Sequence, residues 1–192
     1  MHGTGVPVTK KETMRRRGRA DYQQAHTREV KLGCVFTQTT CNTEGNPVRD
    51  SDSTTYAAAI ETAEAFGNRI YLEAWKRGSG YAALKVVMGD GAEWIWNLAP
   101  VHFPGATQIV DIFHALENLW DVARQLHPND EAAQKRWMTV QQDLLDNCKI
   151  KKLAAALRSI QTTSVELSEK IETEANYFIL NAKRMCYPSS GA

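Results

Sequence analysis

Short stretches of alternating or continuous apolar residues in the first half of the chain predict strands. Residues Arg28 to Thr39 predict a strand, because every second residue from Val30 to Phe36 is apolar and Val30, Leu32, Cys34 and Phe36 share one face. The continuous apolar run from Ala83 to Met88 is typical of a fully buried strand. Further strands are predicted over residues 1–9, 47–49 and 107–112.

A repeat of three to four residues predicts the helices. Residues 54–78 carry such a stripe, with a cap at Ser53 or Thr54, a break or bend at Gly67 and an end at Gly78. Four more apolar stripes follow between Asp111 and the C-terminal end of the sequence. We therefore predict an α/β chain with a strand-containing core over residues 1–111, a helical region over 112–187 and a short tail over 188–192.

Composition places the chain in the ordinary globular class. It has 192 residues, of which 43% are hydrophobic and 23% charged. No apolar run approaches the roughly 20 residues that span a bilayer, and the N-terminal residues do not resemble a signal peptide. The cysteines form no CxxC pair, so we predict free thiols in a cytoplasmic protein. We also predict no membrane partner. The four cysteines are Cys34, Cys41, Cys148 and Cys186.

The net charge of +1 is small, but the positive charges are clustered. One basic segment occupies residues 10–19, and a second occupies residues 149–158. Local basic segments in a near-neutral chain favour contact with a polyanion, here DNA, although a solvated loop without a partner explains them equally well. The predicted DNA-binding residues are Lys10, Lys11, Arg15, Arg16, Arg17 and Arg19.

Asp90 is the strongest single candidate for chemistry. It follows the predicted strand over 83–88 and lies between Gly89 and Gly91. A carboxylate at the C-terminal end of a buried strand occupies the position where α/β folds bind their ligands, and the glycines would let a substrate approach closely. The competing interpretation is an ordinary tight turn, which favours the same residues.

Asp111 and His114 form the second candidate, because the spacing puts both in the first turn of one helix. An aspartate at that position also stabilises a helix without any catalytic role. A two-metal phosphoryl-transfer site needs several carboxylates, so Asp90 cannot form one alone. The sequence has no Walker loop, no dinucleotide fingerprint, no GxSxG motif and no zinc-ligand spacing.

Five segments in order resemble the bacterial insertion-sequence transposases of the ISKra type, a DDE group with an RNase H-like catalytic domain. They are HGTGVPV, REVKLGCVFTQT, TTYAAAIETAEAFGNRIYLEAWKRG, GDGAEWIWNLAPVHFPGATQIVDIFHALENLW and YFILNAKRMCY. The resemblance implies an RNase H-like mixed sheet flanked by helices, with the C-terminal helices as an insertion. It also implies DNA cleavage and strand transfer with Mg²⁺ as cofactor and DNA as partner.

The resemblance assigns roles residue by residue. Asp90 matches the second catalytic aspartate and a metal ligand, and Asp111 and His114 match a supporting Asp-x-x-His element. The first catalytic aspartate would stand at the position of His2. The glutamate would follow the element formed by Tyr177, Phe178, Asn181, Arg184 and Met185, beyond Ala192. We therefore expect an internal fragment of a transposase with negligible activity of its own.

Two alternatives remain open at this stage. The chain could act as a remnant that binds DNA, another copy of itself or a full-length transposase, and thereby inhibits transposition. It could also be an unrelated Mg²⁺ phosphohydrolase that combines Asp90 with Asp50 or Asp52.

Overall fold

The computed structural model describes residues 1–7 and 27–187, which form a mixed α/β chain. Its strands are β1 (His2–Pro7), β2 (Thr27–Val35), β3 (Thr40–Cys41), β4 (Pro47–Val48), β5 (Thr55–Ala59), β6 (Val86–Gly89) and β7 (Thr107–Val110). Its α-helices are α1 (Ala63–Lys76), α2 (Glu93–His102), α3 (Ile112–Leu126), α4 (Glu131–Asp146), α5 (Ile150–Arg158) and α6 (Val165–Asn181). The α/β class predicted from the sequence is confirmed, and no helix of the described part is long and apolar enough to cross a membrane.

The chain divides into two compact units. Unit 1 comprises Met1–Val87 and Ala92–Thr107, and unit 2 comprises Met88–Gly91 and Gln108–Ala192. Unit 1 therefore contains the antiparallel strands with α1 and α2. Unit 2 contains α3 to α6 and the turn that carries Asp90.

The main sheet of unit 1 is antiparallel, with β2 between β1 and β5. The apolar side chains of β2 do not form its buried face, because the structure buries Lys31 and Gly33 and leaves Leu32 43% exposed. A Cβ on Gly33 would lie 2.9 Å from Cδ1 of Ile70, so the helix α1 packs against the strand at its glycine. Close approach to this glycine, rather than the apolar alternation, decides which face is covered.

Lys31 is accommodated in this interior by two neighbours. Its ammonium group lies 2.6 Å from Oε2 of Glu29 and 5.4 Å from the centre of the Trp94 ring. A buried cation needs such compensation, because an unpaired charge is costly away from water. The sequence pattern counts Lys31 as polar and therefore assigns it to the outer face.

The segment predicted as one helix from Thr54 begins instead as strand β5. Tyr56 and Ala57 of this segment pair with Cys34 and Gly33 of β2. The helix α1 starts at Ala63, where the side chain of Thr62 accepts a hydrogen bond from the backbone N–H of Ala65. Alanine-rich sequences satisfy both periods, and the pairing with β2 selects the strand.

Gly67 does not break α1, contrary to the sequence expectation, because the helix continues to Lys76. A Cβ at Gly67 would lie 2.6 Å from Nε2 of His102 and 2.7 Å from Cδ2 of Leu98. The glycine therefore permits α1 and α2 to pack closely. The helix ends before Gly78, as predicted, and Gly78 has a left-handed φ of 77°.

The strands β6 and β7 form a two-stranded sheet. The N–H of Thr107 donates to the carbonyl of Lys85, and the N–H of Asp111 donates to that of Gly89. The equal sequence offset of these two bonds makes the strands parallel. The apolar run predicted that β6 would be fully buried. This prediction is wrong, because Val86 is 56% and Met88 48% exposed.

Unit 2 is built around the apolar faces of its four helices. The side chains of Leu119, Leu145, Leu153 and Phe178 are fully buried, one from each of α3, α4, α5 and α6. Three of these helices begin with a side-chain cap, since Asp111, Asp130 and Ser164 accept hydrogen bonds from first-turn amides of α3, α4 and α6.

Two of the four cysteines are not free thiols, which corrects the sequence expectation. Cys148 and Cys186 form a disulfide with a Cα–Cα distance of 4.8 Å, whereas Cys34 and Cys41 are free and exposed. The two bonded residues are 38 positions apart, so no local spacing signals the bond. The disulfide removes one premise of the cytoplasmic localisation, which stays a prediction.

Candidate metal centre

Asp90 lies directly after β6, in the turn that begins unit 2. Gly91 next to it has a φ of +96°, a conformation that L-residues other than glycine rarely adopt. The carbonyl of Asp90 accepts a hydrogen bond of 3.0 Å from the hydroxyl of Tyr177. The half-buried aspartate is thus held at the end of its strand, as the sequence predicted.

Asp111 lies at the equivalent end of the parallel strand β7. Its N–H donates to the carbonyl of Gly89, the residue before Asp90, over 2.8 Å. Its carboxylate caps α3 by accepting a hydrogen bond of 3.0 Å from the N–H of Phe113. The structural interpretation of Asp111 as a helix cap is therefore confirmed, and one of its oxygens is already engaged.

His114 lies in the first turn of α3. Ligand atoms of His114 and Asp90 lie within 4.8 Å of one another, a separation that one ion can bridge. The Nδ1 atom of His114 also lies 3.5 Å from Oε2 of Glu117, which is largely exposed. A carboxylate next to a ligating imidazole orients the ring. Glu117 is therefore placed to orient the His114 ring, a role that the sequence did not indicate.

The donor set fits a divalent cation without selecting Mg²⁺. Asp90 supplies oxygen and His114 supplies nitrogen, whereas Mg²⁺ prefers oxygen ligands throughout. Carboxylate and imidazole together suit first-row transition cations. Asp111 does not join Asp90 and His114 in the group of mutually close ligand atoms.

Two tyrosines of the C-terminal part of unit 2 contact the acid-bearing segments. Tyr177 donates to the carbonyl of Asp90, and Tyr187 donates to that of Val110 over 2.8 Å. Burial raises the pKa of both phenols well above the ordinary value, and the negative charge of Asp111 adds to the rise. Both side chains are therefore neutral hydrogen-bond donors at any physiological pH.

The sequence does not assign a role to either tyrosine. Tyr177 stands out there only as a member of the element that resembles the transposases, and Tyr187 does not stand out at all. The available signal is chemical: a tyrosine on an otherwise apolar helix face carries a hydroxyl that needs a partner when buried. The position of that partner, 87 residues earlier for Tyr177, is not visible in any local pattern.

The remaining predicted residues are distributed as follows. His2, which only the resemblance aligns with the first acid of the transposases, begins β1 in unit 1 and is half-buried. Asp50, a candidate of the phosphohydrolase alternative, accepts hydrogen bonds from the Thr37 hydroxyl and from Thr39, which lower the pKa of its carboxyl group. Its oxygens therefore stabilise a loop of unit 1. The predicted DNA-binding residues lie outside the described residues: Lys10, Lys11, Arg15, Arg16, Arg17 and Arg19.

Comparison with known proteins adds nothing to these observations. No protein-family model, no curated protein and no solved structure matches this chain.

Proposed function

We propose that the chain is a DDE-transposase-type protein with an RNase H-like core that binds a divalent cation through Asp90 and His114. The observation that carries the proposal is the approach of these two side chains to within 4.8 Å, at the ends of neighbouring structural elements. Their positions coincide with two site elements of the resemblance. The chain has antiparallel strands, in the sheet of β1, β2 and β5, and a parallel pair, in the separate sheet of β6 and β7, whereas an RNase H-like core combines both kinds in one mixed sheet.

A metal held by Asp90 and His114 would supply the activation of water or a 3′-hydroxyl for attack on a phosphodiester and the stabilisation of the leaving oxygen. Asp90 contributes a negatively charged ligand to the centre, and Glu117 beside His114 favours the orientation in which the imidazole can bind. The resemblance puts His2 where the first acid is expected, and an imidazole is a poor Mg²⁺ ligand. We therefore expect cation binding with negligible strand transfer.

Replacement of Asp90 by asparagine is expected to weaken Mn²⁺ binding by at least about 10-fold, since losing even a supporting residue of a metal site costs that much. The side-chain volume is kept while the negative ligand is removed. Electron paramagnetic resonance of free Mn²⁺ measures the dissociation constant. Asp146→Asn is the matched control, because Asp146 is an exposed aspartate at the end of α4 in the same unit.

Equal affinities for the wild type, Asp90→Asn and Asp146→Asn would contradict the proposed metal site. In a separate test, the wild type and Asp90→Ala are incubated with DNA that carries transposon ends and with Mg²⁺ or Mn²⁺. Clear cleavage by the wild type, abolished in Asp90→Ala, would contradict the expected loss of strand transfer and would support the DDE chemistry itself.

A second candidate function is DNA binding that inhibits a full-length transposase, supported by the six basic residues between Lys10 and Arg19. If all six neutralise phosphates, the logarithm of the binding constant should fall with that of the salt concentration with a slope of about −5. Replacing Arg15, Arg16 and Arg17 by alanine should reduce this slope by about half, as measured by fluorescence anisotropy with labelled duplex DNA.

The matched control for that triple replacement changes three lysines of the second basic segment, Lys149, Lys151 and Lys152, to alanine. Equal effects of both triple variants would contradict the assignment of DNA binding to the first segment. Absence of binding at low salt would exclude this second function.

A further inference from the structure

Two phenolic hydroxyls contact the main chain at the two acid-bearing segments of unit 2. Tyr177 on α6 donates to the carbonyl of Asp90 itself. Tyr187, ten residues later, donates to the carbonyl of Val110, which directly precedes Asp111. Each hydrogen bond thus acts on the backbone at, or directly next to, one of the two aspartates that end the parallel strands.

The helix that carries Tyr177 is firmly anchored. Ile171, Ala175 and Phe178 on α6 are buried, and the ring of Phe178 meets that of Tyr177 edge to face at 5.3 Å. The Tyr177 ring also packs against Gly91, where a Cβ would overlap its Cε2 atom. A fixed helix, a packed ring and a directed hydrogen bond leave the carbonyl of Asp90 little freedom to move.

The segment that carries Tyr187 is tied down separately. The disulfide between Cys148 and Cys186 joins the residue before Tyr187 to the connection between α4 and α5. Arg184 in the same segment donates from Nε to the Gln108 side chain on β7 over 2.8 Å. Tyr177 is therefore held by the packing of α6, and Tyr187 is held both by the disulfide and by the contact of its segment with β7.

We infer that Tyr177 and Tyr187 are positioning residues that fix the separation of the Asp90 and Asp111 segments, and thereby the geometry of the cation bound by Asp90 and His114. The inference rests on the proposed metal site and adds the residues that control it. Each hydroxyl acts through the backbone carbonyl that it holds, in the manner of outer residues that orient the ligands of a metal site.

The experiment compares Tyr177→Phe and Tyr187→Phe, which remove one oxygen each, with Tyr81→Phe as control. Tyr81 is 97% exposed, so loss of its hydroxyl should change nothing. We expect each of the first two variants to raise the Mn²⁺ dissociation constant about 10-fold. The visible absorption spectrum of the Co²⁺-saturated protein should also change in shape, since it reports the coordination geometry of the ion.

The two possible failures are distinguishable. If the wild type binds neither Mn²⁺ nor Co²⁺, the proposed function fails and the inference is overturned with it. If the wild type binds and Asp90→Asn does not, but the tyrosine variants keep the wild-type affinity, the inference alone is overturned. Lower unfolding midpoints with an unchanged Co²⁺ spectrum would mean a purely structural role and would also overturn it.

Discussion

Replacing both Cys148 and Cys186 by serine is expected to lower the free energy of unfolding of unit 2 by about 4 kcal/mol. The bond joins residues 38 positions apart, and closing a loop of this length removes conformational entropy from the unfolded chain. The loop contains all of α5 and α6. The bond ties Cys186, the residue before Tyr187, to Cys148, which follows the end of α4. Urea unfolding followed by circular dichroism measures the loss.

Cys34 and Cys41 provide the matched control for this replacement, because both are free and exposed in unit 1. Replacing this pair by serine should leave the unfolding midpoint of unit 2 unchanged. A dithiol reductant should lower the stability of the wild type and of the control, but not that of the Cys148→Ser/Cys186→Ser variant. Equal stability of the oxidised and reduced wild type would contradict the structural importance of this bond.

The strand and helix pattern was largely visible in the sequence where local periodicity and the tertiary fold agree. The strand β2 and the helices α3 to α6 follow their apolar repeats, and Asp111 caps α3 at the helix start where the sequence puts it. The prediction was wrong where one local pattern allows two structures. Residues 55–59 suit either period, and their pairing with β2, whose residues lie 20 or more positions earlier, decides for a strand.

The buried face of β2 differs from its apolar face for a related reason. Alternation counted Leu32 as internal and Lys31 as external, whereas the ring of Trp94 and the carboxylate of Glu29 make Lys31 acceptable in the interior. A shift of one residue moves every side chain of a strand to the opposite face, so one compensated charge is enough to make the apolar pattern indicate the wrong buried face. Compensation by a tertiary partner cannot be read from the strand itself.

The residues of the candidate site could be picked out from the sequence, but the groups that hold them could not. Asp90, Asp111 and His114 were identified because strand ends and first helical turns are short-range features. Tyr177 and Tyr187 reach their carbonyl partners over 87 and 77 residues, and the disulfide spans 38. Residues that orient a site are chosen by the packing of whole helices, which a local pattern does not contain.

Replacing Gly91 by alanine is expected to lower the free energy of unfolding by about 3 kcal/mol, from backbone strain together with overpacking. The strain arises because Gly91 has a φ of +96°, which an L-residue adopts at a cost. The overpacking arises because the new Cβ would overlap Cε2 of Tyr177. Relief of the overlap requires the Tyr177 ring to move, and its hydroxyl then leaves the carbonyl of Asp90.

The two contributions can be separated with one control and one double variant. Gly105 also has a positive φ, +77°, but a Cβ added there would meet no described atom within 4 Å, so Gly105→Ala should cost only the strain, about 1 kcal/mol. Removing the ring as well, in Gly91→Ala/Tyr177→Ala, should cost less than the sum of the two single replacements, because the overlap is gone.

Mn²⁺ affinity supplies the link from this turn to the proposed function. In Gly91→Ala the ligands Asp90 and His114 are both retained, yet displacement of the Tyr177 hydroxyl should weaken binding in the same direction as Tyr177→Phe. Gly105→Ala should keep the wild-type affinity. If Gly91→Ala cost no more stability than Gly105→Ala and bound Mn²⁺ like the wild type, the turn would not transmit the position of α6 to Asp90.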